Sequence, residues 1–237
     1  MMPQTDAPAT SLRTTVWSAL RLATAVLIAA AVVAQLTRTV QIAIEAGQHM
    51  PTVVANFFSF FTIESNVLAA VVLTIAAVRG WLVREERDPA WLAIGLATAS
   101  TFMLITGIVY NLLLRGVELP QGQTVPWSNE VLHLVGPLLL LIDALFAPRR
   151  RGLPWSAIGI IVMYPVAWAV YTLVRANLVT SPATGDPWWY PYPFLNPHLQ
   201  GGYGGVALYI VGIAAAFALV AWGVVAAGRR RDPLLER

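Results

Sequence analysis

The sequence predicts an all-α polytopic membrane protein, a single six-helix transmembrane bundle with both termini in the cytoplasm. Three observations carry that expectation. Of 237 residues, 57% are hydrophobic and only 11% charged, too little polar surface for a water-soluble domain of this length. Apolar runs of roughly 20 residues, enough to cross about 30 Å of hydrocarbon as helix, recur along almost the whole chain. The arginines, finally, are sorted by side. Arg13, Arg21, Arg79, Arg84, Arg87, Arg149, Arg150, Arg151, Arg229, Arg230, Arg231 and Arg237 fall on one face, and Arg38, Arg115 and Arg175 on the other. An excess of arginine marks the cytoplasmic side.

The spans predicted from these patterns are 16–42, 53–78, 90–114, 129–147, 154–176 and 204–227. In the first, Arg13 and Arg21 precede an apolar run containing Ala31-Val32-Val33-Ala34, which has the look of a secretory signal. The pattern continues to about Ile44, longer than a signal core, so an uncleaved helix is expected. Pro51 precedes the second span, Asp88-Pro89 the third, and Pro148 closes the fourth. Gly152-Leu153-Pro154 opens the fifth, and Gly201-Gly202-Tyr203-Gly204-Gly205 the sixth. Trp17, Trp81, Trp91, Trp155 and Trp222 sit near inner ends, and Trp127, Trp188 and Trp189 near outer ends, as interfacial rings do. No internal repeat supports an inverted-repeat transporter.

Composition narrows the function classes. The chain has no cysteine, which removes disulfides, thiolate metal sites and thiol nucleophiles. A net charge of +3 arises from side-sorted arginines, so it implies no nucleic-acid partner. Every basic residue is arginine, and Ala, Val, Leu, Gly and Pro abound. That composition suggests a GC-rich bacterial genome, and therefore the bacterial inner membrane.

Polar residues inside apolar sequence mark the places where chemistry can sit. The second span holds Ser59, Thr62, Glu64, Ser65 and Asn66. On a continuous helix Ser59, Thr62 and Asn66 share a side, Thr62 lies about 14 Å below the outer end, and Glu64 is rotated about 200° away. Glu64 is costly against lipid and must face protein or water, or be protonated. The fourth span places Asn129, Glu130 and His133 on one face, with His133 about 6 Å in. Asn111 on the third span and the i, i+4 pair Tyr171 and Arg175 on the fifth complete the outer polar inventory. Asp143, near the inner end, is expected to be structural. The external loop 177–203 carries Asp186-Pro187-Trp188-Trp189-Tyr190-Pro191-Tyr192-Pro193-Phe194-Leu195-Asn196-Pro197-His198. Its density of proline and aromatics reads as a rigid cap, serving as an interfacial anchor or as a lid over a site.

Phe60-Phe61-Thr62, Trp127 with Asn129 and His133, and Tyr192-Pro193-Phe194-Leu195 occur in the order and approximate spacing of a known family. The chain resembles the androgen-induced-gene and ADTRP-like membrane hydrolases, in their six-span bacterial branch, over roughly residues 15–225. The resemblance implies a threonine and histidine pair, here Thr62 and His133, that hydrolyses fatty acid esters of hydroxy fatty acids. Glu130 and the position of Pro137 depart from the animal pattern and bear on the substrate.

The residue types suit that chemistry. A threonine hydroxyl needs an adjacent base, which His133 would supply. Asn66 and Asn129 are candidate oxyanion donors. Asn111, Tyr171, Arg175, Glu64, Glu130 and Tyr192 are candidate substrate-binding groups. A lipid substrate is the expected partner, and neither metal nor cofactor is expected. Two other readings stand beside this one. A metallohydrolase would use His49, His133 and His198 as zinc ligands. A non-catalytic lipid-binding or transport protein would hold a head group near Arg175 and Glu64.

Overall fold

The computed structural model describes residues 11–83, 87–117 and 124–232. Arg84 and Arg237, counted above among the cytoplasmic arginines, lie outside them. The described residues form helices joined by turns and loops, with no strand. In order these are α1 (Leu12–Glu45), α2 (Met50–Phe58), α3 (Phe61–Leu82), α4 (Ala90–Val109), α5 (Pro126–Glu130), α6 (Gly136–Phe146), α7 (Ala157–Ala176) and α8 (Tyr203–Arg230). A π-helical turn, Tyr110–Leu114, extends α4; a second, Val131–Val135, joins α5 to α6. Six of the resulting helices are long and apolar enough to cross a membrane: α1, α3, Ala90–Leu114, Pro126–Phe146, α7 and α8.

Helix α4 is the centre of the bundle and packs on α3, α6, α7 and α8. Its most apolar window is 67% buried, against 22% for α7 and for α8, so those two helices form an exposed flank. Aromatic packing fills the interior at one level, where Phe61 meets Phe102, Trp168 and Phe217 at centroid distances of 5.2, 5.3 and 5.5 Å.

The two ends of the bundle differ in chemistry. At one end the arginines converge on buried acids. Asp143 accepts bonds from Trp17 Nε1 at 2.7 Å, Arg21 Nε at 2.7 Å and Arg150 Nη2 at 2.8 Å. Asp232 takes Arg87 Nη1 at 2.9 Å and the Gly152 N–H at 3.0 Å, tying the end of α8 to two interhelical segments. A charge buried this deeply persists only when partnered. The opposite end gathers α2, the π-helical turns and the loop between α7 and α8.

The second predicted span requires correction. It is not one helix from 53 to 78; the chain breaks at Ser59 and Phe60, and the spanning helix is α3. No glycine or proline causes the break. Phe60 is extended (φ −73°, ψ 126°), with its ring edge-on to Trp189 at 5.6 Å and Tyr192 at 5.5 Å. Ser59 Oγ turns back to the Ala55 carbonyl at 2.7 Å, while Trp168 Nε1 donates to the Ser59 carbonyl at 3.1 Å. Tertiary aromatic contacts outweigh local helix propensity here. Thr62 is therefore the second residue of α3, about 3 Å from its start rather than 14 Å deep, and Ser59 does not share its helical face.

Helix α7 meets α2 and α3 through the tips of long side chains. Tyr164 donates to Glu64 Oε2 at 2.7 Å, Trp168 to Ser59, and Arg175 Nη2 to Asn56 Oδ1 at 2.7 Å; the Tyr171 hydroxyl lies 3.0 Å from Ser59 Oγ. Positions 164, 168, 171 and 175 fall on one face of a 3.6-residue helix. Glu64 thus faces protein, half-buried against Tyr164.

Candidate active site

Three local irregularities place the site. The first is the break before α3, which leaves the N-terminal N–H groups of that helix without i−4 partners. The second is the π-turn at Val131–Val135. Pro137 has no N–H for the His133 carbonyl, and its ring crowds that carbonyl, so the regular α-turn is lost. The freed His133 carbonyl accepts Asn111 Nδ2 at 3.1 Å instead. The third is the π-turn at Tyr110–Leu114, which delivers the Tyr110 ring onto the His133 imidazole, stacked at 3.8 Å and 22°. Such π-turns recur at functional sites. Gly107 permits the crossing: a Cβ there would stand 3.0 Å from Pro137 Cβ and 3.2 Å from the His133 carbonyl oxygen.

At this junction Thr62 Oγ1 lies 3.4 Å from His133 Nε2. His133 Nδ1 lies 2.9 Å from the backbone carbonyl of Asn129. A carbonyl only accepts, so Nδ1 carries the proton and Nε2 of the neutral ring presents a lone pair to the threonine hydroxyl. On the other side, the Tyr192 hydroxyl accepts the Thr62 N–H at 3.1 Å and stands 3.2 Å from Oγ1. These contacts form one chain: Tyr192 O–H to Thr62 Oγ, Thr62 O–H to Nε2, and Nδ1–H to the carbonyl. Tyr192 is buried, which pushes its phenol up to about 12, against hydrogen bonds from Thr62 that lower it. It therefore remains a donor through neutral and moderately alkaline pH.

Two spaces meet at Thr62. A cavity of about 890 Å³ opens at this end of the bundle and is lined by Gln35, Asn56, Thr62, Asn129, His133 and Tyr192 among others. A smaller one, about 240 Å³, lies between α4, α7 and α8, walled by Phe61, Ile105, Val162, Phe194, Ile213 and Phe217. Thr62, Tyr110, Leu114 and Tyr192 line both. The loop between α7 and α8 supplies Trp189 and Tyr192 to the larger cavity. It thus covers the site, and its own Trp189, Tyr190, Phe194 and Leu195 are buried.

The remaining candidates fall into supporting positions. Asn66 is fully buried, and both its amide hydrogens are engaged, by the Thr62 carbonyl at 2.8 Å and the Leu132 carbonyl at 3.3 Å. It has no free N–H to offer an oxyanion, and instead ties α3 to the π-turn beside His133. Asn129 lines the large cavity, but its amide nitrogen bonds the Tyr110 hydroxyl at 2.5 Å. Glu130 does not orient His133; it forms an exposed fork with Arg115 at 2.9 and 3.0 Å. Tyr171 and Arg175 brace α2 from outside, and Arg175 also lies over the Trp189 ring at 5.3 Å.

The three histidines do not gather. His49 Nδ1 pairs with Thr52 at 2.8 Å, and His198 stacks on Trp188 at 3.7 Å. Among the described residues, no group of three or more acidic or histidine side chains is arranged to hold a metal ion. Tyr110, Gln35 and Asn56 were not anticipated. Their spacing forms no motif, and only the folded bundle brings them into one cavity with Thr62. Comparison with family models, with curated proteins and with solved structures gives no match to this chain.

Proposed function

We propose that the protein is an integral membrane hydrolase of long-chain lipid esters, with Thr62 as nucleophile and His133 as general base. The observation that supports this best is the chain from Tyr192 through Thr62 to His133 Nε2, with the imidazole tautomer held by the Asn129 carbonyl. Nε2 takes the Thr62 proton as Oγ1 attacks the ester carbonyl. The tetrahedral oxyanion forms beside the Tyr192 hydroxyl, a donor of the kind that stabilises it in a water-poor site. The acyl–alcohol C–O bond then breaks, and the imidazolium returns the proton to the leaving alkoxide. Water, deprotonated by Nε2, then bonds to the acyl carbon; the bond from that carbon to Thr62 Oγ1 breaks, Nε2 returns the proton to Oγ1, and the acid leaves. None of these steps calls on a cofactor.

A site this close to the end of a spanning helix is accessible to substrates already dissolved in the bilayer. By the arginine bias, the arginine-rich end faces the cytoplasm, and the site opens in the outer leaflet of a bacterial inner membrane. Fatty acid esters of hydroxy fatty acids are the class that the family resemblance implies. The test is labelling by a lipophilic fluorophosphonate together with ester turnover, comparing wild type with Thr62→Ala. Loss of both in the variant is expected. The size of the 890 Å³ cavity also suits a non-catalytic lipid-binding or transport protein; lipid binding that survives Thr62→Ala, with no turnover in either protein, would favour that role.

A further inference from the structure

The hydrolase reading leaves open which part of the ester enters which cavity. We infer that the small apolar cavity binds the acyl chain and that the large cavity receives a neutral, hydroxyl-bearing alcohol, so that the substrate is an ester of the acylglycerol kind. This rests on Thr62 and His133 acting as proposed above.

The direction follows from where the two residues stand. Thr62 lines both cavities, whereas His133 lines only the larger. As the bond from Thr62 Oγ1 to the acyl carbon forms and the acyl–alcohol bond breaks, the departing alkoxide oxygen must take its proton from His133 Nε2. The alcohol therefore leaves on the His133 side, into the large cavity, and the acyl chain projects the other way. That other way is the apolar chamber. Its wall is aliphatic and aromatic, and its Thr106 and Tyr110 hydroxyls already pair with Ser65 Oγ at 3.0 Å and Asn129 Nδ2 at 2.5 Å. Val166 on α7 and Ala214 and Ala218 on α8 line it and are exposed. It thus opens between these two helices on the flank of the bundle, so a chain can enter sideways from lipid.

The nature of the alcohol follows from the lining of the large cavity. Gln35, Thr39, Gln48, Asn56, Thr124 and Asn129 contribute amides and hydroxyls, and among the described residues no arginine lines it. Arg115 is committed to Glu130, and Arg175 is held by Asn56 Oδ1 at 2.7 Å and lies over the Trp189 ring. A free carboxylate or phosphate on the alcohol would meet no cation among these described lining residues, while a glycerol-like polyol would find uncharged donors and acceptors.

The experiment measures kcat/KM of purified protein in nanodiscs on four esters. They are monopalmitoylglycerol, monobutyrylglycerol, hexadecyl acetate and the palmitate ester of a hydroxy fatty acid. Each methylene buried in the chamber is worth about fourfold in kcat/KM, so monopalmitoylglycerol should lead the set. Ala169→Phe and Ala214→Phe, which fill the chamber from α7 and α8, should each lower the palmitoyl-to-butyryl ratio by tenfold or more. Preference for hexadecyl acetate would reverse the direction and overturn the inference. So would preference for the carboxylate-bearing ester, or an unchanged chain-length ratio in both variants. If a variant does not fold, the wild-type ranking alone decides. Failure of the hydrolase reading looks different: wild type and Thr62→Ala would then be alike on every ester.

Discussion

Replacing Tyr192 with phenylalanine isolates the contribution of one hydroxyl. The ring should stay, held between Phe60 at 5.5 Å and Phe194 at 5.1 Å, while two contacts to Thr62 disappear. One loss is structural. The Thr62 N–H, in the first turn of α3, is left without its acceptor, at a cost of about 1–3 kcal/mol. The other is catalytic, because removing one oxyanion donor lowers kcat by about 10²–10³-fold. The assay is ester turnover in nanodiscs, normalised to fluorophosphonate-reactive protein, with the thermal midpoint recorded alongside. The expected result is a fall in kcat of that size with KM little altered. A kcat within about threefold of wild type would refute Tyr192 as a donor to the reacting atoms. Wild type should also show no loss of rate as pH rises past about 10, the ordinary tyrosine value, because burial holds this phenol up to about 12. Stability has the opposite dependence. Above about 10 the unfolded chain ionises first while the folded phenol stays neutral, so the thermal midpoint should fall between about 10 and about 12. The phenylalanine variant should lack this component of the fall.

Thr62→Ala and His133→Ala should each remove nearly all turnover, and the double variant should be scarcely worse than either, since members of one catalytic unit are non-additive. Asn129→Ala should cost less than about tenfold in kcat, because the acceptor that fixes the His133 tautomer is a backbone carbonyl that the variant retains; a loss equal to that of His133→Ala would contradict this. Pro137→Ala restores an N–H for the His133 carbonyl and allows a regular α-turn, so kcat should drop on the order of 10²-fold through misplacement of the imidazole, with the thermal midpoint unchanged or raised. Asp143→Asn removes the charge shared by Arg21 and Arg150 at the opposite end of the bundle and should destabilise the fold by about 3–5 kcal/mol. Chemical denaturation in detergent, with activity measured on the folded fraction, separates that effect from catalysis.

The spanning helices were legible in the sequence because lipid imposes a length and an apolarity that a run of residues must meet by itself. Ala90–Leu114 and Tyr203–Arg230 needed no partner to be recognised. Thr62 and His133 could be named as candidates because polar side chains inside such runs stand out, and because short motifs around them resemble a known family. The break before α3 could not be read. No glycine or proline marks it, and it exists because the Phe60 ring packs against Trp189 and Tyr192 of a loop more than a hundred residues away. A continuous helix would have put Thr62 far deeper than His133. Likewise, the missing N–H of Pro137 was visible, but the donor that compensates for it, Asn111, comes from another span. Sequence by itself determined the six spanning runs and singled out the candidate polar groups, since those depend on local composition. Tertiary structure alone decided their register, the His133 tautomer and the two cavities, because each depends on contacts between segments distant in the chain.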